Sequence, residues 1–268
     1  MNTRQPYPTD LSDQEWTLIQ PLVPEAKPGG RPEAYAKREI LKGIFDLLRS
    51  GCSWWMLPPD LPPWRIVYYD FRQWRQDGTW QRMHDLLRGD VQVAHGKPRQ
   101  PSAGSIDSQS VKTTDRGGAR GFDAHKLVKG RKRHLFVETL GLLLAVVVTA
   151  ASVQDRDGAK WLLAILRHRF SRLRPIWADG AYAGALIDWV WALRPWRHGR
   201  QEMTRRAKTT QGFEVIPKRW MVERTLGWFN RYQRLSKDDE SLTDTSEAMI
   251  RVTMIHVMVR RLARMAPY

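Results

Sequence analysis

Cysteine is nearly absent from this chain: its 268 residues contain one, Cys52. No intrachain disulfide and no cysteine-based zinc site can form, which suits a reducing compartment. The seven histidines are scattered, and none has the spacing of a metal site. Long hydrophobic runs are missing as well. The longest, Leu140–Ala151, falls well short of the ~20 residues that cross a bilayer, and Met1-Asn2-Thr3-Arg4-Gln5-Pro6 carries no apolar export segment. A cytoplasmic protein with no membrane partner is expected. Acidic residues are the third shortage, with 28 Asp and Glu against 44 Lys and Arg and a formal charge of +16. Such a chain prefers a polyanion, because phosphates neutralised by Lys and Arg release condensed counterions. Nucleic acid is the expected partner, and an anionic membrane surface is the weaker alternative. Apolar residues, by contrast, make up 42% of the chain, enough to bury a core in one large domain or in a small and a medium one.

Because acids are scarce, their settings carry information. Asp107 lies in Ser105-Ile106-Asp107-Ser108 and Asp179 in Pro175-Ile176-Trp177-Ala178-Asp179-Gly180, each ending or interrupting a short apolar run that reads as a buried strand. Glu223 lies in Arg219-Trp220-Met221-Val222-Glu223-Arg224, on a helical stretch rich in Arg and Trp. Three carboxylates are a metal site in outline. Mg²⁺ prefers hard oxygen ligands, and two such ions about 3.5–4 Å apart can activate a nucleophile and stabilise a leaving oxygen on a phosphodiester. Each residue also has a plain structural reading: Asp107 as a turn former at a strand end, Asp179 as a helix cap, Glu223 as the i+4 partner of Arg219. Asp115 and Asp123 read as loop residues, and Asp155 and Asp157 as helix-start residues.

The amino-terminal third reads as helical. Ser12 and Glu15 form a capping box before a short helix reaching about Leu22. Ile40, Ile44, Leu47 and Leu48 fall on one helical stripe that ends near Ser50-Gly51. From Trp64, Val67, Phe71 and Trp74 share one helix face while Arg65, Tyr68, Arg72 and Arg75 cluster on another. A docking face beside a basic face with an aromatic is what a helix inserted in the DNA major groove needs, so a helix-turn-helix module is one reading. A solvated basic face on a small helical bundle is the other. Gly96, Pro98 and Pro101 break the pattern and mark a linker over residues 93–104, separating a helical domain of residues 1–92 from a domain of residues 105–268.

In the larger domain a strand is expected over Ser105–Thr113, then a Gly-rich loop over Thr114–Gly121. The basic cluster Lys126, Lys129, Arg131, Lys132, Arg133 and His134 follows and reads as a surface for DNA backbone, or otherwise as a solvated loop. His134–Glu138 and Leu142–Thr149 flank Leu140-Gly141 as an antiparallel hairpin. A helix over Asp157–Phe170, a strand over Arg174–Ala178, a helix after Gly184, an irregular basic stretch over Arg194–Val215, a helix over Lys218–Arg234 and a final helix over Thr243–Arg264 complete the pattern. The final helix carries Ala248, Val252, Ile255, Val259 and Leu262 on one face and is expected to pack against the sheet.

Taken in order, Ser105-Ile106-Asp107-Ser108, Asp123-Ala124-His125-Lys126 with Lys129-Gly130-Arg131-Lys132-Arg133-His134, Ala178-Asp179-Gly180-Ala181-Tyr182, and Arg219-Trp220-Met221-Val222-Glu223-Arg224-Thr225 before Trp228-Phe229-Asn230-Arg231-Tyr232 resemble bacterial insertion-sequence transposases of the IS-five type. Leu11-Ser12-Asp13-Gln14-Glu15-Trp16 and Gly51-Cys52-Ser53-Trp54-Trp55 are similar to the leading helical domain of the same family. The resemblance implies an α/β (α+β) fold with a ribonuclease-H-like mixed sheet flanked by helices, preceded by the helix-turn-helix domain. It implies an acidic (DDE) triad of Asp107, Asp179 and Glu223 holding two Mg²⁺ ions, for which Mn²⁺ can substitute. The implied activity is transposition: binding double-stranded DNA at the terminal inverted repeats, cutting strands and transferring them into target DNA, with no covalent enzyme intermediate. A homodimer or higher oligomer is the implied synaptic unit, and nucleoid association follows when DNA is bound. The family pattern around the glutamate, Y-x2-R-x3-E-x6-K, is matched by Arg219 and Glu223 and departs at Ile216 and Asn230, with Arg231 next in line; Arg219 and Arg231 join the expected DNA contacts. A non-catalytic DNA-binding regulator and a structure-selective nuclease on the same fold are the rival readings.

Overall fold

The computed structural model describes residues 4–25, 33–115, 117–178, 182 and 220–265. The chain divides into two compact units. One comprises Met1–Lys97, Arg231–Ser236 and Ala248–Tyr268; the other comprises Pro98–Asn230 and Lys237–Glu247.

The first unit is helical. Helix α1 (Asp13–Ile19) opens with the expected capping box: Glu15 N–H donates to Ser12 Oγ at 3.1 Å, and Ser12 N–H donates to the Glu15 carboxylate at 3.0 Å. Helix α2 (Lys37–Ser50) buries Ile40, Leu41, Ile44, Phe45, Leu47 and Leu48. It stops at Gly51, whose φ of +73° places it in the left-handed region and whose N–H donates to Leu47 O at 2.9 Å. A Cβ at Gly51 would meet the Gln233 Cβ at 2.8 Å, so both the conformation and the close approach require glycine. Helix α3 (Trp64–Gln76) buries Val67, Phe71 and Trp74, and a short 3-10 turn over Trp54–Met56 sets Trp54 edge-on to Tyr68 at 5.0 Å. Helix α4 (Thr79–Ala94) adds to the expected elements, and its last turn takes in the start of the expected linker over residues 93–104. Its buried Trp80, Met83, Leu87 and Val91 do repeat at helical spacing, and Trp80 Nε1 donates to Phe71 O at 3.0 Å.

The second unit contains the sheet. Strand β1 (Gly104–Lys112) pairs antiparallel with β3 (Val128–Glu138), β3 pairs antiparallel with β4 (Leu143–Ala150) and with the short β2 (Gly121–Asp123), and β5 (Ile176–Trp177) runs parallel to β1. Helix α5 (Asp155–Arg169) covers one face, where Ile106, Phe136, Ala145, Ala159, Leu162, Leu163, Leu166 and Tyr182 form a continuous core. Helix α6 (Trp220–Phe229) packs on β1 and β3 and is shorter than expected. The helix after Gly184 and the basic stretch over Arg194–Val215 lie outside the described residues.

Helix α7 (Thr243–Met265) closes the chain, with its first turn in the second unit and the rest, from Ala248, in the first. Its expected place against the sheet is therefore corrected. His256 stacks on Phe45 of α2 with ring centroids 4.2 Å apart, and the ring also meets the Tyr232 hydroxyl at 3.2 Å through Nδ1. An apolar stripe specifies that a helix is buried, not which neighbour buries it. Among the described residues no helix is long and apolar enough to cross a membrane.

Candidate functional site

Asp107 stands in the middle of β1, paired with Leu135 and half-buried, and the Ser108 N–H donates to its Oδ1 at 2.7 Å. Side chains alternate along a strand, so with Ile106 in the core under α5, Asp107 lies on the other face, together with Gln109, Arg131 and Arg133. Asp179 lies outside the described residues. Its anchor is visible: Trp177 pairs with Ser105 in the parallel register, and Asp107 and Asp179 are each two positions further along.

Glu223 lies on the exposed side of α6, whose buried side carries Met221, Val222, Thr225 and Phe229. The helix is fixed to the β3–β4 turn by one buried hydroxyl. Thr225 Oγ1 donates to Gly141 O at 2.6 Å and also lies 3.0 Å from Met221 O. Gly141 has a φ of +76°, and a Cβ there would press on Thr225 Oγ1 at 3.1 Å and Met221 O at 3.2 Å. The turn is itself braced by Glu138, a buried carboxylate that accepts from Leu140 N–H at 2.7 Å and Leu142 N–H at 3.0 Å. Arg224 lies over the rings of Trp220 and Trp228, 4.6 and 5.1 Å from their centroids. Among the described residues no three Asp, Glu, His or Cys side chains come together, and two members of the expected triad are described.

The basic cluster divides. Lys126 and Lys129 are exposed on the β2–β3 hairpin, whereas Arg131, Lys132, Arg133 and His134 are buried in β3. The expectation that all six present themselves to DNA is corrected for these four. Arg131 donates to Asp238 Oδ1 at 2.9 Å, to the Glu240 and Ser241 carbonyls at 2.7 Å each, and through Nε to Ala119 O at 2.9 Å. Arg133 reaches Gln109 Oε1 and Lys237 O, and burial brings its pKa down to about 10. His134 lies against Thr149 Oγ1 at 3.1 Å, and burial lowers its pKa to about 4, so it is neutral at physiological pH. On α3, Arg65, Tyr68 and Arg72 are exposed and Arg75 is half-buried. Arg231 is exposed and belongs to the helical unit, while Arg219 lies outside the described residues.

One arrangement was missed in the sequence. Lys132 Nζ bridges Asp123 Oδ2 at 3.2 Å and Asp155 Oδ1 at 3.0 Å. Ser110 donates to Asp123 at 2.6 Å, Ser108 donates to Asp155 at 2.8 Å, and Lys126 Nζ donates to Ser108 O at 2.9 Å. Burial pushes the Asp123 carboxyl up, but the bonds from Ser110, the Lys126 N–H and Lys132 outweigh it and hold the group well below the usual carboxylate range. Asp155 is lowered for the same reason: burial opposes, and Lys132 and Ser108 prevail. Asp123, Lys126, Lys132 and Asp155 border a cleft of about 450 Å³ between the β2–β3 hairpin and the start of α5. Nothing in their spacing marks them, because the partners come from four separate segments.

The family described as "Transposase DDE domain" matches residues 98–258. The chain belongs to this family. A second family, described as "Putative transposase of IS4/5 family", matches residues 11–84 of this DDE transposase family member, so the two matches cover most of both units. Two relatives come from Burkholderia cepacia. The "Insertion element IS402 uncharacterized 16.2 kDa protein" is 31% identical over 119 residues, 40% of this chain and 76% of the relative. The "Putative transposase for insertion sequence element IS402" is 27% identical over 135 residues, 46% of this chain and 60% of the relative. No solved structure matches the chain.

Proposed function

We propose that this chain is a DNA transposase that binds the terminal inverted repeats of its own insertion sequence, cuts strands there and joins them to target DNA. The reading rests on Asp107, a carboxylate in mid-strand on β1, with β5 running parallel beside it toward Asp179 in a family defined by an acidic triad. In this reading the sheet is ribonuclease-H-like, and α3 is the recognition helix of a helix-turn-helix.

Members of this family generally use divalent metal ions. The donor set fits such ions: Asp107, Asp179 and Glu223 offer only carboxylate oxygens, the ligands that Mg²⁺ and Mn²⁺ take. When bound, two such ions supply Lewis-acid activation of the attacking oxygen and stabilisation of the leaving one. The chain's own contribution is placement. Asp107 is held by the Ser108 N–H on a strand locked between two neighbours. Glu223 rides on a helix fixed to the β3–β4 turn by Thr225. Lys126, Lys129, Arg65 and Arg72, exposed and cationic, neutralise DNA phosphates, and Tyr68 adds a stacking surface to the α3 face. A homodimer or higher assembly brings two DNA ends together.

The test is Asp107→Asn in the full chain with duplex DNA carrying the element's ends. Binding is expected to persist and Mg²⁺- or Mn²⁺-dependent nicking to fall by at least a hundredfold; retained nicking removes Asp107 from the mechanism. Wild-type binding without nicking in either ion would point instead to a DNA-binding regulator.

A further inference from the structure

The cleft between the β2–β3 hairpin and α5 is lined by neither Asp107 nor Glu223 and has its own chemistry. Its volume of about 450 Å³ is in the range of small-ligand sites and too small for a duplex. Its floor is not a cation site, because the Lys132 ammonium already lies between Asp123 and Asp155. Its rim is basic and exposed, with Lys126, His125 and Arg156.

The hairpin at its mouth also exposes apolar groups that a free-standing turn would not select. Phe122, on the rim, is 52% exposed and pairs across the strands with the exposed Lys129. Leu127 is 76% exposed and has a φ of +53°, the one non-glycine residue with a left-handed backbone among those described. Leucine rarely adopts that conformation, and such outliers concentrate where a surface meets a ligand. The turn is held in shape by Asp123, which accepts from the His125 and Lys126 N–H groups at 3.1 Å each. An aromatic ring interleaved with cations on a fixed hairpin is the pattern of a platform for unpaired nucleotides, where every base offers a face to stack on.

We propose that this cleft holds one unpaired nucleotide of the DNA substrate, with its base against Phe122 and its phosphate at the Lys126 end. The inference rests on the reading of the chain as a DNA-binding transposase and specifies what enters beside that activity.

The test measures fluorescence anisotropy of the full chain with a labelled blunt duplex and with the same duplex carrying a short oligothymidine tail. Wild type is expected to bind the tailed duplex about tenfold more tightly, the size of one stacked base. Phe122→Ala and Phe122→Leu should bring that ratio close to one, and Phe122→Tyr, which keeps the ring, should restore it. Phe122 lies at the surface, so none of these changes disturbs the core. A wild-type ratio near one with good blunt-duplex binding overturns the inference and leaves the transposase reading standing. A preference for the tail that survives Phe122→Ala also overturns it, as does a Phe122→Ala variant altered only in oligomeric mass by light scattering, which would make the hairpin a protein contact. Absence of any DNA binding overturns the functional reading and this inference together.

Discussion

His134 shows how burial can dominate the state of a residue, outweighing the opposing carboxylate of Asp155. Its ring is enclosed between Thr149 and the backbone of Gly158, and burial lowers its pKa from 6.5 to about 4. The folded chain therefore binds this proton less readily than the unfolded one. The stability that neutral His134 contributes is complete above pH ~6.5, declines as pH falls, and is lost once pH passes below about 4, a difference of roughly 3 kcal/mol. His134→Gln keeps a hydrogen-bonding group for Thr149 and removes the titration. Urea midpoints measured from pH 7 to 4 should fall less steeply in the variant by about one proton's worth of slope; equal slopes would remove His134 from the acid response. The same burial explains why the residue was misread. Lys129-Gly130-Arg131-Lys132-Arg133-His134 has the composition of a solvated loop, yet within it Lys132 pairs with Asp123 and Asp155, and Arg131 pairs with Asp238, far along the chain. No local pattern announces a partner a hundred residues away.

Among the elements, those whose own residues specify them were legible. The capping box of α1, the apolar stripes of α2 and α3, the extent of α5 to within two residues, and the turn at Leu140-Gly141 lie where the sequence puts them, as does the strand carrying Asp107. Helix α4 was legible through Trp80, Met83, Leu87 and Val91 but was masked by the Gly and Pro residues just beyond it. Strand β2 is three residues long and exists through its pairing with β3, which no single segment encodes. The seating of α6 belongs to the same class, since the Thr225–Gly141 bond joins an inconspicuous threonine to a turn carbonyl. Thr225→Val keeps the shape and deletes the donor, leaving the buried Gly141 carbonyl unpaired by that bond at a cost of about 1–3 kcal/mol. Thr225→Ser should recover most of the loss. If α6 carries a working Glu223, Thr225→Val should also reduce metal-dependent nicking about tenfold while duplex affinity is unchanged. A valine variant with full stability and full nicking would show that the bond does not seat the helix.

At the scale of the molecule, the formal charge of +16 overstates what DNA can meet. Arg88, Arg131, Lys132, Arg133 and Arg234 are buried, and Arg131 and Lys132 are also committed to internal carboxylates. Counterion release is governed by the cations that reach phosphates, so the salt dependence of binding reports the exposed set and not the total. If Arg65, Arg72, Lys126 and Lys129 each neutralise one phosphate, duplex affinity should fall with salt with a log–log slope of about −3.6, at roughly 0.9 per contact. Removing Lys126 and Lys129 together should reduce that slope by about 2, and removing Arg65 and Arg72 should do the same from the helical unit. Anisotropy titrations at several salt concentrations separate the two contributions, because additive losses mean that both units hold the same duplex. A slope unaffected by the lysine pair would take the β2–β3 hairpin out of the DNA path, whereas a slope unaffected by the arginine pair would leave α3 as a solvated basic face and return the helical unit to a structural role.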